Sequence, residues 1–159
     1  MLRLGLLVAV GVVVVDQATK FWALGSVLPG QRIPVTEFFN LVLTFNPGIS
    51  FSLFQEAWGR WVFSILALAI VAGLAVWLRR QTTLWLGIAG GAVIGGALGN
   101  TIDRAFHGAV VDFLDFHAFG YHWPAFNAAD SAIVTGVVMI LAEGVIFGRR
   151  KTVNENDNV

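Results

Sequence analysis

Two aspartates in this sequence stand where a carboxylate is costly. Asp112 lies in "GAVVDFLDF" between Val111 and Phe113, and Asp130 lies in "FNAADS", directly before the apolar run "AIVTGVVMILAEGVIFG". Two carboxylates brought together among apolar neighbours cannot both ionise easily, so one pKa rises and the pair shares a proton. Such a pair can activate water with its ionised member and protonate a leaving nitrogen with the other. Asp130 also has a plainer role open to it. If Asn127 is a helix N-cap, Asp130 takes the third helical position, where the helix dipole favours negative charge. Asp115, three residues after Asp112, is the more comfortably placed of those two.

Other catalytic chemistries are poorly supplied. There is no cysteine, which excludes disulfides, thiolate metal sites and a cysteine nucleophile. The serines are Ser26, Ser50, Ser52, Ser64 and Ser131, and Lys20 is the only lysine outside the C-terminal tail, so no serine–lysine or serine–histidine constellation stands out. His107, His117 and His122 fall in one stretch without metal-motif spacing, and no metal or cofactor is expected.

The elements that must position the pair are membrane spans. The chain has 159 residues, enough for one domain, of which 57% are hydrophobic and 13% charged, with a mean hydropathy of +0.75. A soluble domain is about one quarter charged. Formal net charge is zero, so no basic excess points to nucleic acid. A spanning helix needs roughly 20 mostly apolar residues. Four segments qualify, at about 4–24, 61–78, 84–102 and 129–147, the last recruiting part of "NAADS". A cleaved signal peptide is the alternative for the first, since Arg3 precedes an apolar core. Asp16, Gln17 and Lys20 stand between that core and any small-residue cleavage site, which argues against it.

Arg3, Arg79, Arg80, Arg149, Arg150 and Lys151 flank the spans on one side, against Arg32 and Arg60 on the other. By the positive-inside rule both termini are cytoplasmic, and the first and third loops face outward. The first outward loop, with "RIPVTEFFNLVLTF" between Pro-Gly breaks, reads as short strands. The third carries Phe113, Phe116, Phe119, Tyr121, Trp123 and Phe126, for most of which an interfacial belt is sufficient explanation.

Further polar groups collect at the outward span ends. Asp16 and Lys20 in "DQATK" share a helix face, as an ion pair tolerating lipid or as part of a functional cavity. Gly87, Gly91, Gly95 and Gly99 recur every fourth residue, a stripe along which a neighbouring helix can approach closely. Asn100, Asp103 and Arg104 end that stripe, and anchoring the interface explains the last two as well as catalysis does.

Taken in order, "DQATK", "NPGISFS", "GGALGNTIDR", "VVDF" and "FNAADS" resemble the lipoprotein signal peptidases (signal peptidase II) of bacteria, over essentially the whole chain. One departure is Ile49-Ser50, where the family commonly has two alanines; it bears on pocket shape more than chemistry. The resemblance implies a single membrane-embedded peptidase domain over 1–159. Its class would be all-α, four transmembrane helices with a small extracytoplasmic β-like cradle in the first outward loop. It implies a metal-free aspartyl endopeptidase that removes the signal peptide of a prolipoprotein, cutting before a diacylglyceryl-modified cysteine. Asp112 and Asp130 match the catalytic pair. Asp16, Lys20, Asn46, Gly48, Gly99, Asn100, Asp103, Arg104, Phe126, Asn127 and Ala129 match positions that bind substrate or support the site. The implied setting is the bacterial inner membrane, with membrane lipid around a monomer, the active site toward the periplasm, and inhibition by globomycin-type peptides.

Two other classes compete. A proton-coupled transporter or channel subunit would distribute acidic residues near mid-depth, whereas here only Glu143 lies toward the opposite end. A purely structural scaffold leaves "VVDF" and "FNAADS" unexplained as a pair.

Overall fold

The third apolar segment is the axis of the molecule. In the computed structural model, which describes residues 1–48 and 59–156, the order is α1 (Leu2–Ser26), β1 (Arg32–Thr36), β2 (Phe39–Asn46), α2 (Gly59–Leu78), α3 (Leu84–His107), β3 (Val110–Ala118), β4 (Tyr121–His122) and α4 (Ala128–Asn156). All four helices are long and apolar enough to cross a membrane. In α3, 72% of the spanning stretch is buried within the protein, against 17% or less in the others, so α1, α2 and α4 pack around it.

Glycine makes this possible on more than one face. The predicted stripe meets α1: a Cβ at Gly95 would stand 2.7 Å from the Ala9 carbonyl oxygen, and one at Gly99 2.5 Å from Asp16 Oδ2. Gly91 abuts the Gly5 carbonyl in the same way. Gly96 faces the Ala129 carbonyl of α4, Gly90 faces Leu78 of α2, and Gly136 of α4 answers against Ala89. Close backbone approach, rather than large apolar side chains, holds such a bundle together in lipid.

The helices run further than expected. Nothing between Ile102 and His107 breaks a helix, so α3 continues until Gly108 turns the chain at φ 75°. Asp103 and Arg104 are therefore helical residues like Asn100 before them, not members of the third loop. Helix α4 starts at Ala128 and continues through the polar tail, which contains no proline.

The class is not all-α. A four-stranded antiparallel sheet, ordered β1-β2-β3-β4, draws half its strands from the third loop. The alternation in the first loop marked β1 and β2 correctly. Strand β3 was hidden because "VVDFLDF" is buried on both faces near its start and so shows no alternation. The sheet packs on the end of α1 through Val27, Leu43 and Val111. Leu41 pairs with Leu114 and Thr44 with Asp112, so one extra residue in β2 makes a bulge beside Asp112. Phe113, expected in an interfacial belt, is buried, while Phe119, Tyr121 and Trp123 are exposed. Ile49-Ser50 lies outside the described residues.

Candidate active site

Four elements converge on one buried cation. Lys20 Nζ lies 2.8 Å from Asp16 Oδ2, 2.7 Å from Asp103 Oδ2 and 3.0 Å from Asn100 Oδ1. The three charged side chains are essentially inaccessible to water. Burying charge is tolerated only when every remaining lone pair is met, and here the backbone meets them. Asp16 Oδ1 accepts from the Ala129 amide at 2.9 Å, and Asp103 Oδ2 from the Val111 amide at 3.0 Å. Gln17 Nε2 donates to Asp16 Oδ2 at 3.1 Å, Asp103 Oδ1 at 3.0 Å and the Gly99 carbonyl at 3.3 Å. The α1 ion pair is thus one edge of a network that fixes α1, α3, β3 and α4 to one another. Asp103 points into it, where α1 and α3 meet.

The two aspartates stand at the mouth of this network, joined through amides. Asn127 Nδ2 donates to Asp112 Oδ1 at 2.7 Å, and Asn100 Nδ2 donates to Asp130 Oδ1 at 2.7 Å. Asn127 Nδ2 also lies 3.3 Å from Asn100 Oδ1, whose other donor is Lys20. The order is therefore Asp112, Asn127, Asn100, Asp130, with the Asn100 amide orientation set by the ammonium. Asn127 also caps α4, its Oδ1 accepting from the Asp130 amide at 2.9 Å. Capping and presentation of Asp130 are one arrangement. Asn46 Nδ2 donates to Asp112 Oδ2 at 3.1 Å from the end of β2.

Asp112 is 2% exposed, and burial raises its carboxyl from 3.8 to about 6. The bond from Asn46 opposes that rise, the negative charge of Asp130 adds to it, and Asn127 and Lys20 oppose it. A carboxyl at this value is poised to hold or release a proton near neutrality.

The remaining expected positions fall around the pair. Phe126 ties β3 to the start of α4: its carbonyl accepts from Phe113 at 3.1 Å and Leu114 at 2.9 Å, and its amide donates to the Leu114 carbonyl at 3.1 Å. Gly48, at φ 98°, donates its amide to Asn46 Oδ1 at 3.0 Å, and a Cβ there would meet the Phe63 ring at 2.7 Å. Arg104 lies with its guanidinium 5.8 Å from the Phe63 ring centre and its Nη1 3.4 Å from the Asn100 carbonyl. Its Nε is buried with no partner among the described residues. Ala129 is fully buried, and its carbonyl abuts Gly96.

Two things were not anticipated. Gln17 sat inside a quoted motif yet carried no charge to draw notice. Asp115 is as buried as Asp112 and collects Asn40, His122 and Arg32 around it. The histidines do not act as one group: His122 binds Asp115 and stacks on His117 at 4.9 Å, whereas His107 lies against Phe45.

Residues 8–146 match the family model described as signal peptidase (SPase) II. The lipoprotein signal peptidase of Pseudoalteromonas atlantica is 43% identical over 92% of this chain and 91% of its own length. That of an Azoarcus species is 47% identical over 92% of this chain and 85% of its own. A bacterial membrane enzyme solved by the in meso method at 1.9 Å resolution is 34% identical, with a TM-score of 0.79 over 86% of this chain and 89% of that one.

Proposed function

The chain belongs to the signal peptidase II family, and from that premise we propose that it is an aspartyl endopeptidase. Its substrate is a bacterial prolipoprotein, cut before the diacylglyceryl-modified cysteine, with residues 1–159 acting as one membrane domain. The observation that carries the reading is the placement of Asp112 and Asp130 on either side of the Asn127–Asn100 amide pair, at one end of a bundle of apolar helices. A lipid-tethered cut site stays near the membrane surface, and a span mouth is where it would arrive.

In the proposed reaction Asp112 begins neutral and Asp130 ionised. Asp130 takes a proton from water as the water oxygen bonds to the scissile carbonyl carbon. Asp112 gives its proton to the amide nitrogen as the carbon–nitrogen bond breaks. The signal peptide leaves with a carboxyl group, the lipidated cysteine gains a free amine, and the pair still holds one proton. Asn127 and Asn100 keep the carboxylates apart yet fixed, and Lys20 pins both amides through Asn100. We place the chain in the bacterial inner membrane as a monomer among lipids, with both termini cytoplasmic and the pair toward the periplasm.

A gel-shift cleavage assay on a diacylglyceryl prolipoprotein, with and without globomycin, tests this. Removing an acid–base group costs about a hundred-fold or more in rate, so Asp112→Asn and Asp130→Asn should each lose at least that while still inserting. Near-wild-type cleavage by either variant would break the assignment of the pair.

A further inference from the structure

Residues three apart on a strand face opposite ways, so Asp115 lies across the sheet from Asp112. There it borders a cavity of about 470 Å³, lined among others by Gln31, Arg32, Thr44, His122 and Trp123. Asp115 is 4% exposed and accepts from Asn40 Nδ2 at 2.9 Å and from His122 Nδ1 at 2.8 Å, with Arg32 Nε at 3.6 Å. Burial would raise its carboxyl, but the bonds from Asn40 and His122 outweigh that and hold it below the usual value.

A brace between strands needs only Asn40 and one cation to satisfy that carboxylate. This site has two candidate cations for one anion. The Asp115 bond fixes His122 with its Nδ1 occupied, which leaves Nε2 for another partner. Arg32 turns Nε toward Asp115, its side chain is 57% exposed, and no described residue hydrogen-bonds its two terminal nitrogens. With His122 protonated the group carries one surplus positive charge beside an open cavity.

Position supplies the ligand's source. Helix α1 ends at Ser26, and a turn closed by the Gln31 amide on the Leu28 carbonyl at 2.9 Å brings Arg32 back close to that end. A helix of 25 residues is about 37 Å long at 1.5 Å per residue. That exceeds the roughly 30 Å hydrocarbon layer and reaches headgroup depth. Trp123, 69% exposed on the cavity wall, suits the same depth.

We propose that this cavity binds the phosphate of a membrane phospholipid headgroup, held by Arg32 and His122 on the Asp115 hub. The site is separate from the catalytic pair and does not depend on the reaction assigned to it. Native mass spectrometry of the detergent-purified protein tests it, with phosphatidylglycerol, diacylglycerol and inorganic phosphate as probes. The wild type should retain one phosphatidylglycerol per chain and no diacylglycerol. Each cation near a headgroup contributes about five-fold, so Arg32→Gln with His122→Gln should lower retention by about twenty-five-fold. Gln31→Glu keeps the acceptor for the Leu28 amide and sets a carboxylate on the wall, so it should lower retention without touching the Asp115 hub. Release of the lipid by excess inorganic phosphate would identify a site for phosphate in general; retention would identify one that requires the whole lipid. Undiminished retention in Gln31→Glu, equal uptake of diacylglycerol, or no binding of any phosphate by the wild type would overturn the proposal.

Discussion

Asn46 offers a graded test of the catalytic pair, because it touches Asp112 from outside the buried network. Its amide donates to Asp112 Oδ2 at 3.1 Å and stabilises the ionised carboxylate. Hydrogen bonds to charged groups are worth about 1.5–3 kcal/mol. Asn46 is exposed, so solvent screening places this one at the lower end. At 1.36 kcal/mol per pKa unit, losing about 1.5 kcal/mol raises the carboxyl by about one unit, from about 6 to about 7. In the proposed reaction the neutral form of Asp112 does the work. The rate constant kcat/KM, which reports the free enzyme, should then fall as pH rises through its pKa.

Asn46→Val should therefore move the alkaline limb of kcat/KM up by about one pH unit. Asn46→Asp keeps an acceptor for the Gly48 amide but adds a negative charge, and should move the limb further in the same direction. The assay is cleavage of a lipidated precursor across pH, with kcat and KM separated. An unmoved limb, or one that moves down, would show that Asp112 is not the group whose proton the reaction consumes. Stability carries the same titration. Folded Asp112 holds its proton more tightly than the unfolded chain does. Its contribution to stability is therefore full below 3.8 and is lost as pH rises through about 6.

Two further substitutions test the frame. Gly99→Ala would place a Cβ 2.5 Å from Asp16 Oδ2, and overpacking of this kind costs about 1–3 kcal/mol; Gly73→Ala in α2 meets nothing within 4 Å and should be neutral or slightly stabilising, with detergent-unfolding midpoints as the comparison. Lys20→Met leaves two buried carboxylates without their cation and should lose about 3–5 kcal/mol; full stability in that variant would mean the network holds little together.

How far the site could be read in advance depended on whether a residue's partner was local. Asp16 with Lys20, and Asn127 with Asp130, are spaced within one helical turn, so their pairings follow from spacing alone. The glycine stripe likewise announced a close helix neighbour, although not that the neighbour is α1. Partners far apart in sequence gave no such sign. The Ala129 amide meets a carboxylate 113 residues away, and Asn40 meets one 75 residues away. The strand carrying both Asp112 and Asp115 has no alternation, so nothing local said that these carboxylates face opposite sides of a sheet.

The glycines of α3 and the charges around Lys20 are best understood as one device. Lipid supplies no hydrophobic drive between helices, so association rests on close packing and polar bonds. At Gly99 the two coincide: the missing side chain makes room for the Asp16 carboxylate, and the Gly99 carbonyl accepts from Gln17. Next to it Asn100 and, one turn on, Asp103 bind Lys20 from the same helix. Asn100 then hands the arrangement to Asp130, and the Val111 amide on Asp103 hands it to the strand that bears Asp112. Packing between α1 and α3 therefore sets the relative position of two aspartates that belong to neither helix. A substitution deep in that interface should shift the pair without touching it, and Gly99→Ala is the smallest change able to reveal this.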